Sequence, residues 1–180
     1  MRARLHIGIL GGLLLLGLPA DLRPLEQADE YEVKAGFLVN FPSFVEWPAD
    51  SFPSPTAPVN ICVLGRNPFG KTLESLAGGK AVGARTLRVR QLSDVRQATG
   101  CDILFVSSSE RLRFRFILDA VKDAPVFTVG DSSDFIAQGG VANLWMEKGK
   151  IRVEINAEAA KAKNLRISSR LMAVAKPERP

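Results

Sequence analysis

The sequence predicts an α/β fold, a three-layer sandwich around a mostly parallel sheet with an antiparallel hairpin at its C-terminal edge. Three observations carry this. Short runs such as Ile103–Val106 are apolar throughout, which suits strands covered on both faces. Turn residues and helical spacing follow such runs, giving a repeated strand-then-helix order that right-handed crossovers fold onto both sides of a sheet. The pattern then changes after Gly139-Gly140, where two β-rich runs flank Glu147-Lys-Gly-Lys150, the mark of a hairpin.

The chain opens with Arg2 and Arg4, an apolar stretch from Leu5 to Leu18 broken only by His6, and Pro19-Ala20. A charged start, an apolar middle and a small residue at the end predict a secretory signal peptide over residues 1–20. Cleavage is expected after Ala20, with Ala28 as the alternative. Read as an uncleaved anchor, the run is shorter than the roughly 20 residues that span a bilayer, and it contains Gly11, Gly12 and Gly17. No second long apolar run follows, so the exported chain is not expected to be membrane-embedded.

A polar spacer, residues 21–30, leads into Tyr31–Trp47. There Val33, Phe37, Leu38, Phe41, Phe44 and Val45 fall at helical spacing on one wide apolar face. Pro42 should end or kink this helix near Asn40, with Phe44–Trp47 as a further turn. Four prolines between residues 48 and 58 mark a surface connection. Val59–Leu64 reads as a buried strand, followed by a helix from Pro68 to Leu76 that stops at Gly78-Gly79. Thr86–Val89 alternates with arginines, as a strand nearer an edge would. Ser93 is expected to cap a short helix ending at Gly100. The strand beginning at Cys101 leads to a helix over Ser109–Lys122, a strand over Val126–Val129, and a short helix around Ser133–Ala137. The hairpin strands are Val141–Met146 and Ile151–Ile155. Asn156 should cap Ala157–Lys163, and Ser168 or Ser169 a last helix over Ser169–Ala175, with a loose tail at 177–180. The strands starting at 59, 101 and 126 should lie at the centre.

Composition excludes several functions. Losing residues 1–20 removes His6, the only histidine, and two arginines, so the formal charge falls from +5 to +3. That mild excess is scattered among acidic residues, unlike the basic blocks of a nucleic-acid binder. No histidine base, nucleophile elbow, zinc motif or paired-carboxylate pattern remains, so no catalytic residue, metal or cofactor is expected. Two cysteines in an exported chain favour a disulfide. A Cys62–Cys101 bond would close a loop worth about 4 kcal/mol in the chain-entropy model. Two buried free thiols are the alternative.

Ligands of open α/β sheets sit beyond the carboxyl ends of strands, where strand order reverses. Those ends carry Gly65-Arg66-Asn67, Ser107-Ser108-Ser109 and Gly130-Asp131. A small anionic ligand facing Arg66, with Asn67, Ser107, Ser108 and Asp131 around it, is one reading. Ordinary capping and turn chemistry is the other. Gly70-Lys71-Thr72 is out of register for a phosphate loop. For a protein partner, aromatic and arginine anchors matter most. They point to Trp145, Arg152, Arg166 and Arg170, assisted by Phe37 and Phe41 of the first helix. Alternatively, Trp145 packs beneath the last helix.

A series of segments carries a family resemblance. Glu30-Tyr-Glu-Val-Lys-Ala-Gly-Phe-Leu-Val-Asn-Phe41 with Phe44-Val-Glu-Trp-Pro48, Ile61-Cys-Val-Leu-Gly65 with Pro68-Phe-Gly70, and Cys101-Asp-Ile-Leu-Phe-Val-Ser-Ser-Ser-Glu110 come first. Thr128-Val-Gly-Asp131 with Phe135, Gly139-Gly140, Ile151-Arg-Val-Glu-Ile-Asn156 and Leu165-Arg-Ile-Ser-Ser-Arg-Leu171 follow in order. Together they resemble the YfiR family (the DUF4154 domain), over a single domain at residues 29–176. The resemblance implies a periplasmic, homodimeric regulator. Such proteins repress an inner-membrane diguanylate cyclase by binding its periplasmic sensor domain, which lowers cyclic di-GMP and biofilm formation. It also implies that the family's disulfide falls on Cys62 and Cys101, and that redox state and small ligands take part in control. Some members carry a second cysteine pair in the later half. This chain has none, so control through that pair is not expected. Another membrane sensor protein is an alternative partner, and a stand-alone small-molecule sensor is an alternative function.

Overall fold

The computed structural model describes residues 25–175. The expected signal peptide and the tail at 177–180 lie outside them. In chain order come α1 (Leu25–Asn40), β1 (Val45–Glu46), β2 (Val59–Leu64), α2 (Thr72–Gly78), β3 (Ala81–Val82), β4 (Arg85–Leu92) and β5 (Ile103–Val106). Then follow α3 (Phe114–Ala120), β6 (Phe127–Gly130), β7 (Ala142–Glu147), β8 (Lys150–Ile155), α4 (Ala157–Ala162), β9 (Arg166–Ile167) and α5 (Ser169–Val174). One sheet runs β3-β4-β2-β5-β6-β7-β8. The pairs β4–β2, β2–β5, β5–β6 and β6–β7 are parallel. The β7–β8 hairpin is antiparallel and forms one edge. The expected α/β sandwich with β2, β5 and β6 at its centre is what the chain adopts.

The unbroken apolar runs are explained by two buried faces. Ile61, Val63, Ile103 and Phe105 meet Leu38 of α1, Leu73 of α2, Ala160 of α4 and Leu171 of α5. The alternate residues Cys62, Leu64, Leu104 and Val106 meet Phe114, Ile117 and Leu118 of α3, with Val95 and Ala98 of a 3-10 turn. Each such side chain fully buried contributes roughly 1.5–3 kcal/mol. At the hairpin, Lys148 (φ 50°) and Gly149 (φ 74°) both take positive φ. That is the mirror-image turn whose twist matches its strands.

Several elements differ from expectation, each for a local reason. Helix α1 starts inside the polar spacer, and Phe44–Trp47 is not a further turn: Val45–Glu46 pairs antiparallel with Arg166–Ile167 as a separate two-stranded sheet. The helix expected from Pro68 begins only at Thr72. Asn67 Oδ1 accepts from the Phe69 N–H and its amide donates to Gly70 O, and Gly70 takes φ 56°, so residues 67–70 form a turn. The cap at 93–98 is Asp94, paired reciprocally with Gln97, and the segment it opens is a 3-10 turn, Val95–Ala98. The helix expected over Ser109–Lys122 splits into a 3-10 turn, Ser108–Arg113, and α3. Residues 133–137 form turns rather than a helix. Phe135 is wedged there against Gly130 and Gly140, where any Cβ would collide with its ring.

Cys62, in β2, and Cys101, two residues ahead of β5, form a disulfide with Cα atoms 5.9 Å apart. Beside it the Asn60 N–H donates to Asp102 at 2.7 Å and the Asp102 N–H donates to Asn60 O at 3.0 Å. Burial pushes the Asp102 carboxyl above its ordinary range, opposed by these Asn60 bonds. The start of β5 is thus held to β2 covalently and by hydrogen bonds. Reduction should lower unfolding stability by about 4 kcal/mol, read as a lower urea midpoint than that of the oxidised protein. Coincident midpoints would show that the bond constrains nothing.

Candidate functional site

From β2 the chain crosses to β4 on one side and then returns to β5 on the other. Strand order therefore reverses between β2 and β5, and a crevice of about 460 Å³ opens beyond their carboxyl ends. Its walls include Tyr31 from α1, Arg66, Asn67 and Phe69 after β2, and Ser107 and Ser108 after β5. The two loops are fastened to each other. The Arg66 N–H donates to Ser109 Oγ at 2.9 Å, and on the other side the Gln91 amide of β4 donates to Gly65 O at 2.7 Å. Gly65 takes φ 89°, and a Cβ there would lie 2.6 Å from Ser109 Oγ, so this close approach requires glycine. Ser107 Oγ caps the turn after β5 by accepting from the Ser109 N–H. Capping chemistry therefore occupies Asn67 and Ser107. The Arg66 guanidinium is exposed and makes no ion pair among the described residues.

Asp131, at the end of β6, stands behind the crevice rather than on its wall, with its side chain only 2% exposed. Its Oδ2 accepts from the Tyr31 hydroxyl at 2.6 Å and lies 3.7 Å from Lys34 Nζ. Lys34, itself 2% exposed, also pairs with Glu30 at 2.5 Å and sits over the Tyr31 ring. Burial, and then the Asp131 carboxylate, raise the Tyr31 hydroxyl pKa well above the usual phenol range. The Tyr31 ring meets Phe69 edge-on, and Phe69 meets Phe105 of β5. The crevice wall is therefore continuous with the core. Tyr31 and Lys34 are site residues that strand-end reasoning missed. Their one local signal is the Glu30/Lys34 spacing of four.

The residues expected to bind a partner fall in three places. Phe37, Phe41 and Arg170 come together in an apolar groove of about 480 Å³ between α1 and α5, bordered by Phe44. Val33 and Val174 on its rim are 50% and 68% exposed. Trp145 and Arg152 are instead cross-strand neighbours in the hairpin, with Arg152 paired to Glu147 at 3.0 Å. Leu144 joins the face covered by α5, and strand alternation puts Trp145 on the opposite face, not beneath the last helix. Arg166 is on β9 in an exposed pair with Glu46, worth little.

Because Asp131 Oδ1 already has no hydrogen-bond partner, Tyr31→Phe would strip the carboxylate of its one hydroxyl donor. Stability should fall by about 1–3 kcal/mol, measured by urea denaturation. Wild-type stability in the variant would mean the contact anchors nothing.

The solved structures that share the fold include two at low identity. A conserved domain protein from Vibrio cholerae O1 biovar El Tor matches with TM-score 0.56 and 14% identity over 82% of this chain and 59% of its own. The ABC domain in complex with L-Trp from Streptococcus pneumonia matches with TM-score 0.51 and 11% identity over 84% of this chain and 60% of its own. The chain therefore spans about three-fifths of either, and at such identities the likeness is one of fold. No curated protein matches the sequence. The YfiR/HmsC-like family description, DUF4154, matches residues 31–176, nearly all of the described chain, and the protein belongs to that family.

Proposed function

We propose that the protein is a periplasmic regulator that represses an inner-membrane diguanylate cyclase by binding its periplasmic sensor domain, lowering cyclic di-GMP and biofilm formation. The family is regulatory and periplasmic, and a disulfide suits an oxidising compartment. No described helix is long and apolar enough to cross a membrane. Cleavage of the leader after Ala20 would leave α1 whole, whereas cleavage after Ala28 would remove its first turn.

The observation that carries this reading is the groove between α1 and α5. Phenylalanines line it, exposed valines border it, and Arg170 stands on its rim. Aromatic and arginine anchors around an apolar centre are the composition of a protein-binding surface. In this reading Phe37 and Arg170 would make the contacts, with Phe41, 1% exposed, as the buried floor beneath them. Trp145, Arg152 and Arg166, on other faces, are left for contacts between two copies in the homodimer that the family resemblance implies.

The test uses the exposed rim, so that folding is spared. Val33→Asp combined with Val174→Asp should leave the protein exported and folded while intracellular cyclic di-GMP rises several-fold in its native host. Undiminished repression by the double variant would exclude the groove.

A stand-alone small-molecule sensor is the second reading. It is favoured by the crevice at the strand-order reversal, where the exposed Arg66 guanidinium stands near Asn67, Ser107 and Ser108. Inorganic phosphate and small carboxylates should raise the melting temperature of the wild type but not of Arg66→Glu. An equal shift in both proteins, or none in either, would remove this reading and leave the groove standing.

A further inference from the structure

We propose that the outer face of α3, with the turn leading into it, docks on an anionic lipid surface. The segment Arg111-Leu-Arg-Phe-Arg-Phe116 alternates cations with apolar residues. The turn Ser108–Arg113 and the first turn of α3 sort these onto two sides. Phe114 faces in and is fully buried, as are Ile117 and Leu118 farther on. Leu112 and Phe116 face out, Leu112 fully exposed and Phe116 59% exposed. They lie four residues apart, Leu112 in the 3-10 turn and Phe116 in the first turn of α3. They form an apolar tip on the layer opposite the α1–α5 groove.

The charges around this tip are arranged by depth. Arg111 pairs with Asp134 and Arg113 with Glu110, yet in both pairs the arginine is the more exposed member, 58% against 31% and 49% against 17%. Arg113 also lies 5.6 Å over the Phe116 ring. Arg115 is exposed and makes no ion pair among the described residues. The two paired carboxylates are less exposed than the guanidinium groups they face. Asp119, exposed one turn farther along α3, bounds the patch.

A convex apolar tip ringed by projecting guanidinium groups complements a bilayer interface carrying negative charge. Leucine and phenylalanine enter the acyl boundary while arginines meet lipid phosphates. A protein partner would instead have to supply a hollow that receives both Leu112 and Phe116. For a member of a periplasmic family, the available surface is a membrane leaflet facing the periplasm. The patch shares no residue with the groove or the crevice, so the inference does not depend on either.

Co-sedimentation of the exported protein with vesicles of phosphatidylglycerol and phosphatidylethanolamine tests it. Binding should exceed that to phosphatidylcholine vesicles. It should weaken as salt rises from about 0.1 M to about 1 M, which shortens the screening length from roughly 10 Å to 3 Å. Leu112→Ser with Phe116→Ser should reduce binding about tenfold or more, and Arg115→Glu should reduce it while leaving the melting temperature unchanged. None of these positions belongs to the buried face of α3, and circular dichroism checks that the variants fold. Absence of wild-type binding to the anionic vesicles, or binding unchanged in all variants, would overturn the proposal. So would loss of partner repression by these variants without any vesicle binding, which would make the patch a protein interface.

Discussion

Lys34 is a cation with almost no contact with water, held between a carboxylate on its own helix and one at the end of β6. Removing one partner of such a pair leaves a buried charge uncompensated, a loss of about 3–5 kcal/mol. The pair therefore seats α1 on the sheet together with the packing of Ala35, Leu38 and Val39 in the core. Positions three, four and seven residues on from Lys34 then follow from helix geometry: Phe37, Leu38 and Phe41. Leu38 and Phe41 enter the core and Phe37 turns to the groove. Both candidate surfaces draw on this one helix, because Tyr31 walls the crevice and Val33, Phe37 and Phe41 line the groove.

The centre of the sheet is held by a different device. The disulfide and the Asn60–Asp102 bonds join the entrance of β5 to β2, at the far end of those strands from the crevice. At the crevice end, the Arg66–Ser109 bond and the Ser107 N–H donating to Leu64 O perform the same service without a covalent link. The central pair of strands is thus secured at both ends. Arg90 adds a guanidinium 3.8 Å from the Cys101 sulfur.

What the sequence reveals depends on how local each signal is. The strands at β2 and β5 were legible because both faces are buried and the runs Ile61–Leu64 and Ile103–Val106 are apolar throughout. Asn156 and Ser168 were legible because each caps the helix beside it. The β1–β9 pair was not, since two-residue strands carry no period and their partners are separated by most of the chain. Ser93 and Asp94 are both good caps, and only the reciprocal bond with Gln97 selects the aspartate. At the site, the strand-end rule found Arg66, Asn67, Ser107 and Ser108, all on the crevice wall. It could not find the bond between Tyr31 and Asp131, which lie 100 residues apart. Composition alone chose Trp145 and Arg170 together. Residue type says nothing about which face of a sheet a side chain occupies, and strand alternation separates the two.

Crevice and groove are not independent features, because one helix serves both. From Tyr31 to Phe37 is six residues, about 9 Å along α1, and the Asp131 contacts lie at the crevice end of that stretch. A ligand that competed for the Tyr31 hydroxyl would act on one of the contacts that seat α1, and hence on the position of Phe37 against Arg170. Coupling between two sites requires that each occupant distinguish two arrangements of a shared element. Here that shared element is α1, and its anchor is a single buried carboxylate with one oxygen already lacking a hydrogen-bond partner. The two functional readings therefore meet in one physical object: a small ligand at Tyr31 and a protein partner at Phe37 would both act through the seating of the same helix.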